Sequence, residues 1–217
     1  MKLEEVMRTT FAAREFLDEE IPDEAIERIL DNARFAPSGG NQQPWKVIAV
    51  RDQATRDAFL EWMKPTFYSY VAQTLKGVKP FNPIEPCPVS AEELAAVEGN
   101  DDFIRQLCSA PLILLVLVDL SKVTALDTHL DRINLIAGGS IYPFAWNILL
   151  AARNEGYGGT MTTFLCAAEP QVKELLDIPD NYALCTMIPL GKPVKQLTRL
   201  KRNPVNHFLM QERWQET

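Results

Sequence analysis

The chain has 217 residues, is 47% hydrophobic and 24% charged, and carries a formal net charge of −7. That composition supports a sizeable core and argues against disorder, and the length suits one domain, or one domain with a large insertion. The acidic balance, with a sequence pI of about 5.0, gives no electrostatic footprint for nucleic acid and does not favour an anionic membrane, which leaves small molecules and protein surfaces as partners.

The N-terminus, Met1-Lys2-Leu3-Glu4-Glu5, has early acids and no apolar run, so it does not read as a signal peptide. Leu3, Val6 and Met7 predict a short first helix. A second helix is expected from Pro22-Asp23, with Ile26, Ile29, Leu30 and Ala33 as its apolar face. It runs into Ala36-Pro-Ser-Gly-Gly-Asn-Gln-Gln-Pro-Trp45, a stretch crowded with hydroxyl and amide groups. Its adjacent glycines, Gly39 and Gly40, permit positive φ and close approach of a ligand. Lys46 to Arg51 reads as the strand that follows, and Gln53 to Met63 as a helix.

Residues 64–100 predict an irregular insertion. Pro65, Pro80, Pro83, Pro86 and Pro88 break it, while Phe67, Tyr68, Tyr70 and Phe81 keep it aromatic, which suits a lid or binding wall. Ala110 to Asp119 is a nearly continuous apolar strand, buried on both faces. Its longest apolar run, Leu112 to Val118, is too short to cross a bilayer. Gly138-Gly139-Ser140 opens a helix from Ile141 to about Asn154, terminated by Gly156. Gly158 to Phe164 reads as a strand, Glu169-Pro170 starts a short helix through Leu176, and Ala183 to Leu190 is the last buried strand. Helices and strands interleaved around long insertions give an α+β fold with a buried central sheet.

Several chemistries are absent from the pattern. Ser38 lies outside any Gly-x-Ser-x-Gly elbow, and Gly39-Gly40 is neither a dinucleotide fingerprint nor a Walker loop. His129 and His207 are the only histidines and no ligand cluster surrounds them, so no metal site is expected. Cys87, Cys108, Cys166 and Cys185 are scattered, without a Cys-x-x-Cys pair, as in a soluble cytoplasmic protein with reduced thiols. No side chain stands out as the reagent, which points to a cofactor. Three segments suit an anionic planar ligand: Arg8-Thr9-Thr10 with Arg14, the loop Pro37 to Gln43, and the tail cations Arg199, Lys201 and Arg202.

In order and spacing these pieces resemble the nitroreductase family of flavin-dependent oxidoreductases. The resemblance runs through Arg8-Thr9-Thr10 to Phe16, Ile21-Pro22-Asp23-Glu24, Ala33 to Trp45, Gly138 to Pro143, Gly156 to Phe164, Ile188 to Pro193 and Lys201-Arg202-Asn203-Pro204. It implies an α+β fold with a central, mostly antiparallel sheet flanked by helices, in an intertwined homodimer. It further implies one domain over 1–217, a lid at about 64–100 and a C-terminal dimer arm at about 195–217.

The implied cofactor is FMN, reduced by NAD(P)H in a ping-pong exchange that passes hydride through flavin N5 to a nitroaromatic, quinone or similar acceptor, with no catalytic side chain. Reductive dehalogenation, azoline oxidation, flavin cleavage or flavin binding without turnover are the alternatives on the same fold. Carried over, Arg8, Thr9, Thr10 and Arg14 would lie along the phosphate, ribityl chain or pyrimidine edge. Pro37, Ser38, Gly39, Gly40, Asn41 and Gln43 would come from the partner subunit. Gly159 and Thr160 would approach N5, and Lys201 and Arg202 the phosphate. The chain departs from the family's pattern in one place: a second basic residue is usual near Phe11 or Ala12, and here Phe11, Ala12 and Ala13 are apolar, which shifts weight in phosphate binding onto Arg8 and the tail.

Overall fold

The structure, a computed structural model, describes residues 1–214. Residues 215–217 of the expected arm lie outside the described residues. In chain order the elements are α1 (Leu3–Thr9), α2 (Asp23–Ala33), β1 (Trp45–Val50), α3 (Gln53–Leu75), α4 (Ala91–Ala95), α5 (Asp102–Cys108), β2 (Leu112–Asp119), α6 (Tyr142–Asn154), β3 (Gly158–Gly159), α7 (Glu169–Leu175) and β4 (Tyr182–Gly191), joined by short 3-10 turns. The four strands pair antiparallel in the order β1-β2-β4-β3.

β2 is the centre of the molecule, and all eight of its residues are buried. Alternation along a strand sends its side chains to opposite faces. Leu112, Leu114 and Val116 pack with α2 and α6, while Ile113, Leu115 and Leu117 pack with α3 and α5. Two helical layers therefore sandwich one sheet, and an unbroken apolar run is the sequence such a strand requires. Each fully buried aliphatic side chain contributes roughly 1.5–3 kcal/mol.

Three expectations are corrected. The helix expected to end at Met63 runs on to Leu75, straight through Pro65. A proline inside a helix costs about 3 kcal/mol or more, but the extension buries Phe67, Ala72 and Gln73. Phe67, Tyr68 and Tyr70 thus stand on a helix, and the irregular segment begins only after it. A further helix, α5, precedes β2 where the sequence suggested none. The strand expected over Gly158 to Phe164 pairs with β4 only at Gly158 and Gly159. Beyond them a single bridge joins Thr162 to Met187, and a 3-10 turn follows at Phe164–Ala168. The chain leaves the sheet there, and residues 160–164 line a cavity instead.

Candidate functional site

The site is assembled where the N-terminal segment meets the sheet edge. The Ala13 N–H donates to the Gly159 carbonyl at 3.1 Å, Leu17 N–H to Lys192 O at 2.9 Å, and Val194 N–H to Glu15 O at 3.1 Å. The glycines of the edge make room for this strip. A Cβ on Gly191 would stand 2.8 Å from the Phe16 ring, and one on Gly158 would stand 3.1 Å from the Ala13 Cβ. Ala13 is 1% exposed. That packing leaves no space for a long side chain at Ala13, whereas Ala12 is exposed. It also sets Arg14 beside Thr160.

Arg14 and Thr160 share a cavity of about 830 Å³ with Phe67, Tyr70, Phe81, Phe103, Phe164 and Thr163. Its aromatic wall is tightly organised. Phe67 stacks on Phe103 at 5.6 Å between centroids, and Phe164 meets Phe67 edge-on at 5.6 Å and Tyr70 edge-on at 5.4 Å. The Arg14 guanidinium lies 5.4 Å from the Phe103 ring centre. Among the described residues Arg14 is the sole charged one lining the cavity, and no carboxylate comes within 4.0 Å of it. Phe103 was not noticed from sequence, and Phe164 was read only as the end of a strand and of a family-like stretch, not as part of the site. Tyr68 turns away from the cavity: its hydroxyl donates to Asp101 Oδ1 at 2.6 Å and accepts from the Gly99 N–H at 3.2 Å, tying the end of the inserted segment to α3.

The Pro37–Gln43 loop is separate from this cavity. Gly40, Asn41 and Gln43 all have positive φ, at 56°, 53° and 47°. Ser38 Oγ accepts from the Gln43 N–H at 3.0 Å, and the Gly39 N–H donates to Ser140 Oγ at 3.0 Å. Ser140 closes a 3-10 turn, Ile136–Ser140, that hangs from Asp127. Asp127 is 3% exposed; its Oδ2 accepts from the Leu135 N–H at 2.7 Å, from Arg132 Nη1 at 2.6 Å and from the Ile136 N–H at 3.4 Å. The Leu135 N–H first, then Arg132 and, more weakly, the Ile136 N–H hold its pKa down at about 2. The sequence offered Ser140 only as the opening of a helix and gave Asp127 no role, since a carboxylate clamp on a loop has no periodic signature.

The third group lies at the end of α1. Arg8 pairs with Glu4 at 3.1 Å, both largely exposed, a contact of little energetic weight. Thr9 Oγ1 donates to Glu5 O at 2.8 Å and accepts from Arg153 Nε at 3.0 Å, while Thr10 Oγ1 donates to Val6 O at 2.8 Å. Both threonines are buried and hold the helix end together. Gln196 Nε2 donates to the Thr9 carbonyl at 3.0 Å, which ties the start of the tail to the same place. Arg199, Lys201 and Arg202 are exposed, and Arg202 Nη1 donates to the Lys201 carbonyl at 2.8 Å.

The chain therefore brings together Arg14, Thr160, Phe67, Tyr70 and Phe81. It leaves the Pro37–Gln43 loop and the basic tail apart from them. Burial pushes the thiols of Cys108, Cys166 and Cys185 up to about 12, so none is a nucleophile near neutrality. Among the described residues no group of three His, Cys, Asp or Glu side chains is placed to hold a metal ion. No helix among them is long and apolar enough to cross a membrane.

The family model described as "Nitroreductase family" matches residues 7–192. The chain belongs to the nitroreductase family. It is similar to a nitrobenzene nitroreductase from Ectopseudomonas oleovorans, with 22% identity covering 87% of this chain and 86% of the relative. It is also similar to an iodotyrosine dehalogenase 1 homolog from Caenorhabditis elegans, with 25% identity covering 94% of this chain and 59% of that longer protein. Among solved structures, an NADPH:FMN oxidoreductase from Vibrio harveyi, complexed with NAD+, superposes with a TM-score of 0.68 at 21% identity over 99% of this chain and 79% of that one, a likeness of fold. The family membership makes this nitroreductase-family chain an oxidoreductase of α+β fold.

Proposed function

We propose that the chain is an FMN-dependent oxidoreductase that takes reducing equivalents from NAD(P)H and passes them to a nitroaromatic, quinone or similar acceptor. The observation that carries this reading is the cavity, an aromatic wall with a single cation, Arg14, that no carboxylate neutralises. A flat, electron-accepting ring suits such a place: the wall supplies apolar surface, and the cation favours a ligand that gains negative charge.

The residues fit FMN in two further ways. At Gly159 even a Cβ would meet the Pro189 carbonyl at 2.5 Å, so the backbone beside Thr160 is bare of any side chain. Arg8 and Arg202 are exposed cations with only weak local partners, suited to a phosphate. The hydroxyls of Thr9 and Thr10 are engaged within α1, so Arg8, Lys201 and Arg202 are assigned the phosphate.

We assign Pro37, Ser38, Gly39, Gly40, Asn41 and Gln43 to the flavin of a second copy, in a homodimer whose arm is residues 195–217. Support comes from the separation of that loop from the cavity in one subunit and from the apolar tail, where Phe208, Leu209 and Trp214 are 67%, 56% and 82% exposed. Bound FMN would supply hydride transfer in two half-reactions, and the protein contributes placement and exclusion of water.

Purified protein loaded with FMN should be yellow, and NADH or NADPH should bleach it under anaerobic conditions. Colourless protein that takes up no added FMN overturns the reading. A second reading, reductive dehalogenation of a halogenated phenol, has the similarity to the iodotyrosine dehalogenase homolog in its favour. Bound flavin that neither nicotinamide bleaches, with dehalogenation once the flavin is reduced by dithionite, would assign the chain there.

A further inference from the structure

Phe81 differs from every other ring around the cavity. Phe67, Tyr70, Phe103 and Phe164 pack on one another, whereas among the described residues no ring stacks on Phe81. Phe81 lines the cavity and is 53% exposed. Its backbone has φ at 51°, a left-handed conformation that a bulky residue rarely adopts. Something must hold it there. Gln73, on the buried side of α3 and 7% exposed, accepts the Phe81 N–H at its Oε1 at 2.7 Å. The Gln73 carbonyl accepts the Val78 N–H at 3.4 Å, so both ends of the bend close on one residue. Further along, Lys76 Nζ donates to the Pro88 carbonyl at 2.8 Å and pairs with Glu93 at 2.8 Å, pinning the rest of the segment to the same helix.

A buried amide in a helix and a strained phenylalanine eight residues later have no purpose in the core, since neither adds to a ring cluster. We propose that Phe81 is the specificity-determining residue of the cavity and that Gln73 is its positioning residue, so that the pair selects acceptors with a flat aromatic ring. This rests on the function proposed above and deepens it. The ring of Phe81 is left unstacked because the acceptor's ring is its partner. A hydrogen bond to an amide side chain, rather than apolar packing, fixes the bend while leaving the ring's faces open.

The test uses the full chain loaded with FMN, as wild type and as Phe81→Ala, Gln73→Met and Gln73→Glu. Gln73→Met keeps the length and burial and removes the acceptor; Gln73→Glu keeps an acceptor. Steady-state kinetics with nitrobenzene and with ferricyanide, a compact acceptor without a ring, give KM and kcat for each. We expect Phe81→Ala to raise the KM for nitrobenzene roughly tenfold relative to that for ferricyanide, the loss of one ring contact. Gln73→Met should do the same, and Gln73→Glu should restore most of the preference.

Hydrogen exchange reads the device without turnover. The Phe81 amide should be protected in wild type and Gln73→Glu and exchange freely in Gln73→Met. Equilibrium binding of nitrobenzene, followed by tryptophan fluorescence, should weaken in step with KM. An unchanged nitrobenzene preference and affinity in Phe81→Ala overturns the role of Phe81, and unchanged exchange in Gln73→Met overturns that of Gln73. If the wild type reduces neither acceptor, the proposed function fails, while exchange and binding still decide this inference.

Discussion

Gly159→Ala is the sharpest probe of the site. The added Cβ would lie 2.5 Å from the Pro189 carbonyl oxygen, 3.1 Å from Leu190 Cδ1 and 3.2 Å from Leu149 Cδ2. Ordinary contact begins at 3.4 Å, so the first clash is 3.4 − 2.5 = 0.9 Å too close, and its other party is backbone rather than a flexible tip. Pro189 belongs to β4 and is fixed opposite Ile113 of the central strand, so β3 must give way. Overpacking of this kind costs roughly 1–3 kcal/mol. For a chain of this size each kcal/mol lowers Tm by about 2–4 °C, which predicts a fall of about 2–12 °C. The shift should also loosen the Ala13–Gly159 bond, displace Arg14 and weaken FMN retention.

Circular dichroism melting and flavin absorbance after gel filtration measure both effects. Gly139→Ala is the control: nothing lies within 4 Å of its Cβ position, so it should be neutral or slightly stabilising. A Gly159→Ala protein that melts with the wild type, or a control that falls equally, would refute the steric argument.

Truncation after Leu197 removes Arg199, Lys201, Arg202 and the exposed apolar tail but spares the Gln196–Thr9 bond; it should yield a colourless monomer on a sizing column, and a yellow dimer would contradict the arm assignment. Asp127→Asn should lower the urea midpoint at pH 7 and loosen the Ser140–Gly39 link. The sign with pH follows from its pKa, depressed from 3.8 to about 2. The carboxylate stabilises the fold fully above about pH 4 and loses that contribution as pH falls towards 2. The wild type should therefore lose its advantage over the variant between those values, and a parallel pH dependence of the two would remove Asp127 from the account.

Local patterns were legible wherever burial and periodicity agreed. β2 declared itself because both of its faces are covered, and α2 because Pro22 and the spacing of Ile26, Ile29 and Ala33 mark one buried face. α3 was cut short at Pro65 because local propensity takes no account of what Phe67 and Ala72 bury against another part of the chain. The site was legible as residue types and illegible as geometry. Arg14 and Thr160 are brought together by a bridge between Ala12 and Gly159, and no window of sequence spans that distance. Gln73 had no chance of notice, since a helical glutamine becomes meaningful only when Phe81 bends back over it. The departure at Phe11–Ala13 is accounted for in part: Ala13 has no space against Gly158, while Ala12 is exposed and its apolar side chain has no structural explanation.

The strip at residues 12–17 has a consequence for how the molecule is made. Its partners are Gly159, Lys192 and Pro193, far along the chain from the strip itself. During synthesis this strip is made before β3 and β4, which carry its partners. Closing such long loops is the slow, entropically costly part of folding. Arg14 and Thr160 meet through the bridge between Ala12 and Gly159, so the cavity is complete only once the sheet edge is.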